Sequence, residues 1–520
     1  MAILLVLGVA LMSAAAAARP APPAQASSQT VLGAGSTWDQ IATTQWAADA
    51  HTLLGITINY QGVGSTAGRQ FYIENQVDFG DSDIPFLPEE LQEIQSEHKT
   101  FQYLPTVAGG TGVMYNLRTP SGKRVNNLRL DSRALTGIFT GTIKQWNDPI
   151  ITSQNPQLRG QIPNARIIPV VRADGSGTSA MFSDYLRQLQ PSMWRSFCST
   201  YDINPCGQIS FWPLNIPGVV AQKGSDGVAN YVQQQFNSIT YVETGYAIQR
   251  NFPVVLVKNR SGHYVFPSSQ NDATALTHAR IQPNLISDLS GVHSAPEANA
   301  YPIAGYSYMI TPTQVGFGFT PEKGAVLGKF ILYAACAGQQ KAASLGYSPL
   351  TPVLVRGVFA AVKRIPGAPA PPPLSKCNNP TLTGHGNGGG PSGNPGGGDT
   401  TGGSTQPGSG SLGGGSSNTG NQGGSGKSGG NSSSGGNTPT TPTGSTPGVT
   451  PVQGIVLTAD QLDLRRAAAL KAIDGVQAQS SLPLGLIILD ILVIAFVPWI
   501  IWHKRRAAPE LSDDPNPRGV

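Results

Sequence analysis

From about Pro366 to Thr450 the chain turns into Pro, then Gly, Ser, Asn and Thr, with almost no large apolar residue. Such a stretch cannot bury enough surface to offset its ordering entropy, so it is expected to stay disordered. It confines the foldable part to about Ser28 to Ile365, and it is where the excess of glycine and proline sits, 63 and 42 of 520 residues. A Gly/Ser coil of about 73 residues has an end-to-end distance of roughly 50 Å. The tract reads as a tether.

The ends give the tether its purpose. Leu482 to Trp502 is 21 largely apolar residues, long enough to cross a bilayer core. His503-Lys504-Arg505-Arg506 follows at once, and positive charge beside a span marks the cytoplasmic side. Ala2 to Ala18 is an apolar, alanine-rich run followed by Arg19 and an Ala24-Gln25-Ala26 site. Residues 1–26 therefore read as a secretory signal, though one without a basic start. The expected topology is single-pass, with everything before residue 482 outside the cell membrane and the tail 503–520 inside. Asp490 lies in mid-span, where a carboxylate costs about 2.5–3.5 kcal/mol; it reads equally as a contact with another membrane subunit or as a tolerated protonated acid. Within the spacer 451–481, Thr458-Ala459-Asp460-Gln461 caps a short helix through about Ala472.

Charge and cysteine usage exclude several classes. A formal net charge of +5 is too weak for nucleic-acid binding, which wants Lys and Arg clustered on one face. Four cysteines allow three pairings. Cys198 and Cys206 bracket one short loop, Cys336 lies in a helical stretch and Cys377 just past the domain end, so Cys198–Cys206 and Cys336–Cys377 are the expected disulfides. Neither pair has metal-ligand spacing and the histidines are scattered. No metal, cofactor or catalytic residue is expected.

Within the foldable part, β-branched runs such as Ile56 to Tyr60 and Ile167 to Val171 alternate with helical stretches, which argues for α/β layers. Three strand-to-helix loops share one grammar: Gly33-Ala34-Gly35-Ser36-Thr37, Gly62-Val63-Gly64-Ser65-Thr66 and Asp174-Gly175-Ser176-Gly177-Thr178-Ser179. Each offers glycine, then a hydroxyl, then a helix N-terminus whose first N–H groups have no intrahelical partner. One such loop simply caps its own helix; three together point to an anion site. None matches a nucleotide-binding loop. A fourth loop, Gly224-Ser225-Asp226-Gly227, is read as structural.

Two charged positions sharpen the chemistry. Arg172 ends the strand entering the third loop, where its guanidinium reaches an anion held there and Asp174 orients it by a fork pair. Asp83, in Val77-Asp78-Phe79-Gly80-Asp81-Ser82-Asp83, places an acid beside that anion. A carboxylate only accepts hydrogen bonds, so the arrangement suits an anion carrying a proton, as hydrogen phosphate does and sulfate does not. Such a site rejects an analogue lacking the O–H by about 10⁴–10⁵.

At these residues the sequence resembles the PstS-type phosphate-binding proteins of high-affinity phosphate ABC transporters, members of the periplasmic-binding-protein family. The resemblance runs across about residues 30–364 and is most specific from Arg172 to Ser179. It implies a two-lobed type II α/β fold with a hinge, with residues 28–108 and 250–365 in the first lobe and 109–249 in the second. It implies phosphate contacts from Thr37, the backbone of Trp38, Ser65, Asp83, Arg172, Ser176, Gly177 and Thr178, with Asp174 in support. The chain departs from the pattern at Trp38, where phenylalanine is usual, and at Asp81, where a small neutral residue is usual and a second acid would weaken affinity for a dianion. It also lacks a lipid-attachment cysteine after the signal, so the C-terminal span would serve as the anchor. The resemblance implies a membrane-tethered receptor that passes inorganic phosphate to ABC permease subunits. The alternatives are a phosphate-sensing or adhesive surface ectodomain, and a phosphatase, for which Ser176 lacks any activating histidine or metal.

Overall fold

The computed structural model describes residues 29–382. The signal segment 1–26, the tether beyond residue 382, the spacer, the span with Asp490 and the tail lie outside the described residues. Among the described residues no helix is long and apolar enough to cross a membrane.

One nine-stranded sheet organises the fold. Its strands are Thr30–Gly35 (β1), Thr57–Gly62 (β2), Phe79–Ser82 (β3), Phe101–Asn116 (β4), Ile168–Arg172 (β5), Val220–Gln222 (β6), Ser238–Glu243 (β7), Ala304–Pro312 (β8) and Tyr347–Ser348 (β9). Their order is β2-β1-β3-β8-β4-β7-β5-β6, with β9 added beside β4. Strands β1, β2 and β3 run parallel, as do β5, β6 and β7, while β8 and β4 are antiparallel to their neighbours. Parallel pairs need helical crossovers. Gln40–Leu54 (α1) supplies the first, and it stops at Gly55, whose φ of 64° is the left-handed region that glycine enters without steric cost.

The sheet serves two lobes. The first half of β4, Phe101 to Gly110, pairs with β8, and the second half, Thr111 to Asn116, pairs with β7. On the first half sits a core containing Trp46, Phe79, Leu104, Ile310 and Leu354. The second half carries Tyr115, Phe139, Phe182, Trp212 and Tyr241. At the crossing, a Cβ on Gly109 would lie 3.1 Å from the Trp38 ring and one on Gly110 would lie 2.7 Å from Asp272 Oδ1. Glycine is needed there because the side chains of Trp38 and Asp272 close over the strand. This is the two-lobed α/β architecture expected.

Two boundaries differ from expectation. The return to the first lobe comes near residue 267 rather than at 250: Val255, Val257 and Val265 are in the second core. Leu256–Lys258 is held there by parallel pairing with Arg129–Leu130 and antiparallel pairing with Tyr264–Val265. The first element to return is the helix Ser269–Leu276, which buries Ala275 and Leu276 in the first core. The second difference is at the other end. Residues 366–382, assigned to the disordered tract, pack on the first lobe. Cys377 is joined to Cys336 at 2.13 Å, and Asn379 Nδ2 donates to the carbonyls of Ala335 (3.0 Å) and Leu350 (3.3 Å). Gly324 and Gly328, on the helix Pro321–Ala335, leave the groove that Pro366 and Ala368 fill. Covalent and backbone-directed contacts hold this tail, so it needs little apolar surface. The other disulfide, Cys198–Cys206, is closed at 2.04 Å.

Candidate functional site

The loops singled out in the sequence all leave the carboxyl ends of parallel strands, where open α/β sheets bind ligands. Strand β1 delivers Ser36, Thr37 and Trp38, and β2 leads through Gly64 into the helix Ser65–Ile73 (α2). Asp83 follows β3. Strand β5 ends on Arg172 and leads to the helix Gly177–Leu189 (α3), and β6 leads to the helix Gly224–Gln234 (α4).

The two lobes meet at these loops. A Cβ on Gly177 would lie 2.5 Å from Ser65 Oγ and 2.6 Å from Asp83 Oδ2. The Thr66 N–H donates to the Gly175 carbonyl across the cleft at 3.1 Å. Only a residue without a side chain lets the first turn of α3 approach the acid of the other lobe so closely. The N–H groups of Gly177 and Thr178 open α3 and have no intrahelical acceptor. Ser176 caps the helix by accepting from Ser179 N–H at 3.1 Å, which leaves its own O–H as a donor.

Arg172 is buried, with 2 % of its side chain exposed. Its Nε donates to Asp174 Oδ1 at 2.8 Å, Nη2 pairs with Asp174 Oδ2, and Nη1 donates to Thr178 Oγ1 at 3.4 Å. Burial opposes the guanidinium charge, but Asp174 beside it more than compensates and holds its pKa above the usual range. Asp174 is itself positioned by the Gly224 N–H at 2.8 Å.

Asp83 is the hub of the first lobe. Its Oδ1 accepts from Ser36 Oγ (2.6 Å) and Ser307 Oγ (2.8 Å), and Oδ2 from Ser65 Oγ (3.2 Å). Burial raises its pKa above the ordinary carboxylate value, against the pull of those hydroxyls and of Arg172, which favour the charge. Asp81 shares the face of Asp83: Ser307 Oγ lies 2.9 Å from Asp81 Oδ1 as well.

The structure thus brings Ser65, Asp83 and Gly177 together, and links Arg172, Asp174 and Thr178. Trp38 joins indirectly, because its N–H donates to Ser36 Oγ at 2.9 Å. Its indole packs in the first core and donates to Thr111 Oγ1, at the start of the second half of β4, at 3.1 Å. Thr37 faces the second lobe: its Oγ1 lies 2.9 Å from Ser225 Oγ and accepts the Ser225 N–H at 3.1 Å, while its carbonyl accepts Tyr246 O–H at 2.6 Å. The fourth glycine loop therefore does more than cap its helix. Ser225, Ser307, Asp39 and Tyr60 join the site without being among the ligand contacts expected from the sequence. A lone serine in a strand 224 residues from its acid has no local signature; Ser225 did carry one, the same loop grammar as the other three.

Comparison with known proteins identifies the family. A family model described as a PBP superfamily domain matches residues 20–336. The phosphate-binding protein PstS of Haemophilus influenzae is 33 % identical over 330 residues, covering 63 % of this chain and 90 % of that protein. The phosphate-binding protein PstS of Xylella fastidiosa (strain Temecula1) is 34 % identical over 346 residues, covering 65 % and 87 %. Among solved structures, the phosphate-binding protein from Stenotrophomonas maltophilia is 19 % identical with a TM-score of 0.47, covering 68 % of this chain and 98 % of that one. With a domain match over most of its folded part and such relatives along most of their length, the chain belongs to the PBP superfamily and, within it, to the PstS-type phosphate-binding proteins.

Proposed function

We propose that this protein captures inorganic phosphate between its lobes and passes it to the permease of an ABC transporter, as a binding protein and not an enzyme. The observation that carries the reading is the pairing of one fixed cation with one fixed acceptor. Arg172, locked by Asp174 at the start of α3, faces Asp83, which three hydroxyls and Arg172 favour in its charged form. Arg172 and the N-terminal N–H groups of α3 stabilise the negative oxygens. Asp83 accepts the phosphate proton, and sulfate, with no proton at neutral pH, meets it as a bare like charge.

Closure of the lobes is a hinge motion about the crossing of β4, and the Thr37–Ser225 contact forms on that closure. In this reading the tract after residue 382 tethers the domain outside the cell, and the span 482–502 anchors it beside the permease. Tethering raises the effective concentration at that partner.

Isothermal titration of the full-length protein with phosphate and with sulfate tests the reading. It requires tight phosphate binding and sulfate binding weaker by orders of magnitude. Equal affinities, or none for phosphate, reject it.

A further inference from the structure

Three buried carboxyls converge beneath the site: Asp39 at the start of α1, Asp81 on β3 and Asp83 after it. Their contacts form a line. The Asp39 carboxyl lies close enough to Asp81 for each to shift the other's ionisation, Asp81 Oδ1 lies 2.9 Å from Ser307 Oγ, and Ser307 Oγ lies 2.8 Å from Asp83 Oδ1. Asp81 Oδ2 has no donor among the described residues.

Counting protons along this line constrains it. An ionised carboxylate only accepts, and a serine hydroxyl donates once. With all three acids ionised, Ser307 satisfies one neighbour and sets lone pair against lone pair at the other, and the Asp39–Asp81 contact has no proton at all. Two protons satisfy every link: Asp39 donates to Asp81, Asp81 to Ser307, and Ser307 to Asp83, which keeps the single negative charge. The opposite polarity would put the charge on Asp39. The surroundings favour the Asp83 end, which has Ser36 and Ser65 as further donors and Arg172 facing it. At the other end Asp39 has Thr43 Oγ1 at 3.2 Å and Tyr60 O–H at 3.3 Å.

The other titratable groups around the line do not neutralise the pair. Tyr60 on β2 faces all three acids, Tyr246 and Tyr347 face Asp39, and Tyr308 on β8 faces Asp83. Arg69 on α2 is taken by Glu90 at 2.8 and 3.2 Å and by Ser82. Burial and then Asp39 push Asp81 well above the usual carboxylate range, and burial lifts Asp39 to about 7.

We propose that Asp81 is a positioning residue of the anion site: it holds a proton and, through Ser307, keeps Asp83 an ionised acceptor. The inference rests on the phosphate reading above. It turns the second acid from a defect into a condition, because the site takes a protonated oxyanion while the Asp39–Asp81 pair stays protonated. Loss of a proton from the pair breaks the line and adds a negative charge behind Asp83.

The test is phosphate titration of the full-length protein from pH 6.5 to 8.5, comparing wild type with Asp81→Asn and Asp39→Asn. Each replacement keeps the shape of the carboxyl and removes its ability to ionise. Phosphate's own ionisation is common to all three proteins and drops out of the ratio. Wild-type affinity is expected to fall about tenfold more than that of either variant, both of which stay within about threefold of wild type at pH 6.5. Parallel pH profiles overturn the proposal. So does an Asp81→Asn protein that folds but no longer binds at pH 6.5. An independent readout is the infrared carbonyl band of a protonated buried carboxyl in the ligand-free protein at pH 7. The band must be present in wild type and weaker in Asp81→Asn; where that variant does not fold, Asp39→Asn replaces it, and an unchanged band overturns the proposal. A wild type that shows the band but binds no phosphate refutes the phosphate reading instead.

Discussion

Replacing Arg172 by alanine separates two roles of one guanidinium. In the structure it forms a fork with Asp174, and both side chains are nearly fully buried, at 2 % and 4 % exposure. Without it, Asp174 keeps the Gly224 N–H at 2.8 Å and the nearby Lys223 charge. Breaking a buried pair from one side costs about 3–5 kcal/mol, and those two remaining contacts place the loss toward the lower value. Affinity falls by a separate amount. Two charge-assisted hydrogen bonds to the anion amount to about 3–6 kcal/mol, or a factor of roughly 10²–10⁴ in Kd. The double variant Arg172→Ala/Asp174→Asn removes the stranded charge, so it recovers most of the stability and none of the affinity. Urea denaturation and isothermal titration on the three proteins read the two quantities separately. A single variant binding within tenfold of wild type, or a double variant that regains affinity, refutes the assignment of Arg172.

Three other outcomes follow from particular contacts. Ser225→Ala removes the Oγ partner of Thr37 across the cleft, a bond of about 0.5–1.5 kcal/mol, so phosphate release in stopped-flow should quicken roughly two- to tenfold with little change in capture. Asp272 is fully buried, its two carboxyl oxygens lack donors among the described residues, and burial raises its pKa well above the usual value. The protonated acid is therefore the folded form: its stability contribution is complete below the ordinary carboxylate pKa and lost as pH rises toward the folded value, at up to about 1.4 kcal/mol per pH unit. Asp272→Asn should match wild type near pH 4 and exceed it near pH 8 in denaturant midpoint; a pH-independent difference would contradict this. Changing Cys336 and Cys377 to serine together should cost about 2–4 kcal/mol and open residues 366–382 to limited proteolysis, and an unaltered cleavage pattern would show that the tail holds without the bridge.

Much of the site was legible because its parts are local. The glycine–hydroxyl loops at Gly33, Gly62 and Asp174, and the arginine ending β5, are runs of a few residues whose chemistry shows without a fold. What stayed hidden depends on tertiary approach. Ser307 becomes meaningful only when β8 inserts beside β3 and brings its hydroxyl between Asp81 and Asp83. The return near residue 267 was obscure because Leu256–Lys258 and Tyr264–Val265 read as short strands whichever lobe they join. The tail 366–382 looked like tether by composition, and its anchors are a disulfide, two grooved glycines and backbone acceptors, none of which raises local hydrophobicity.

The position of β8 bears on how the molecule is made. This strand sits between β3 and β4, yet it is translated after all of β5, β6 and β7. Until the ribosome has passed Pro312, the amino-terminal half exposes two open strand edges, the kind of surface on which chains pair wrongly. This strand, in the last third of the described residues, is thus the keystone of the half of the sheet that is made first, and a polypeptide stopped short of Ala304 leaves both of those edges unpaired.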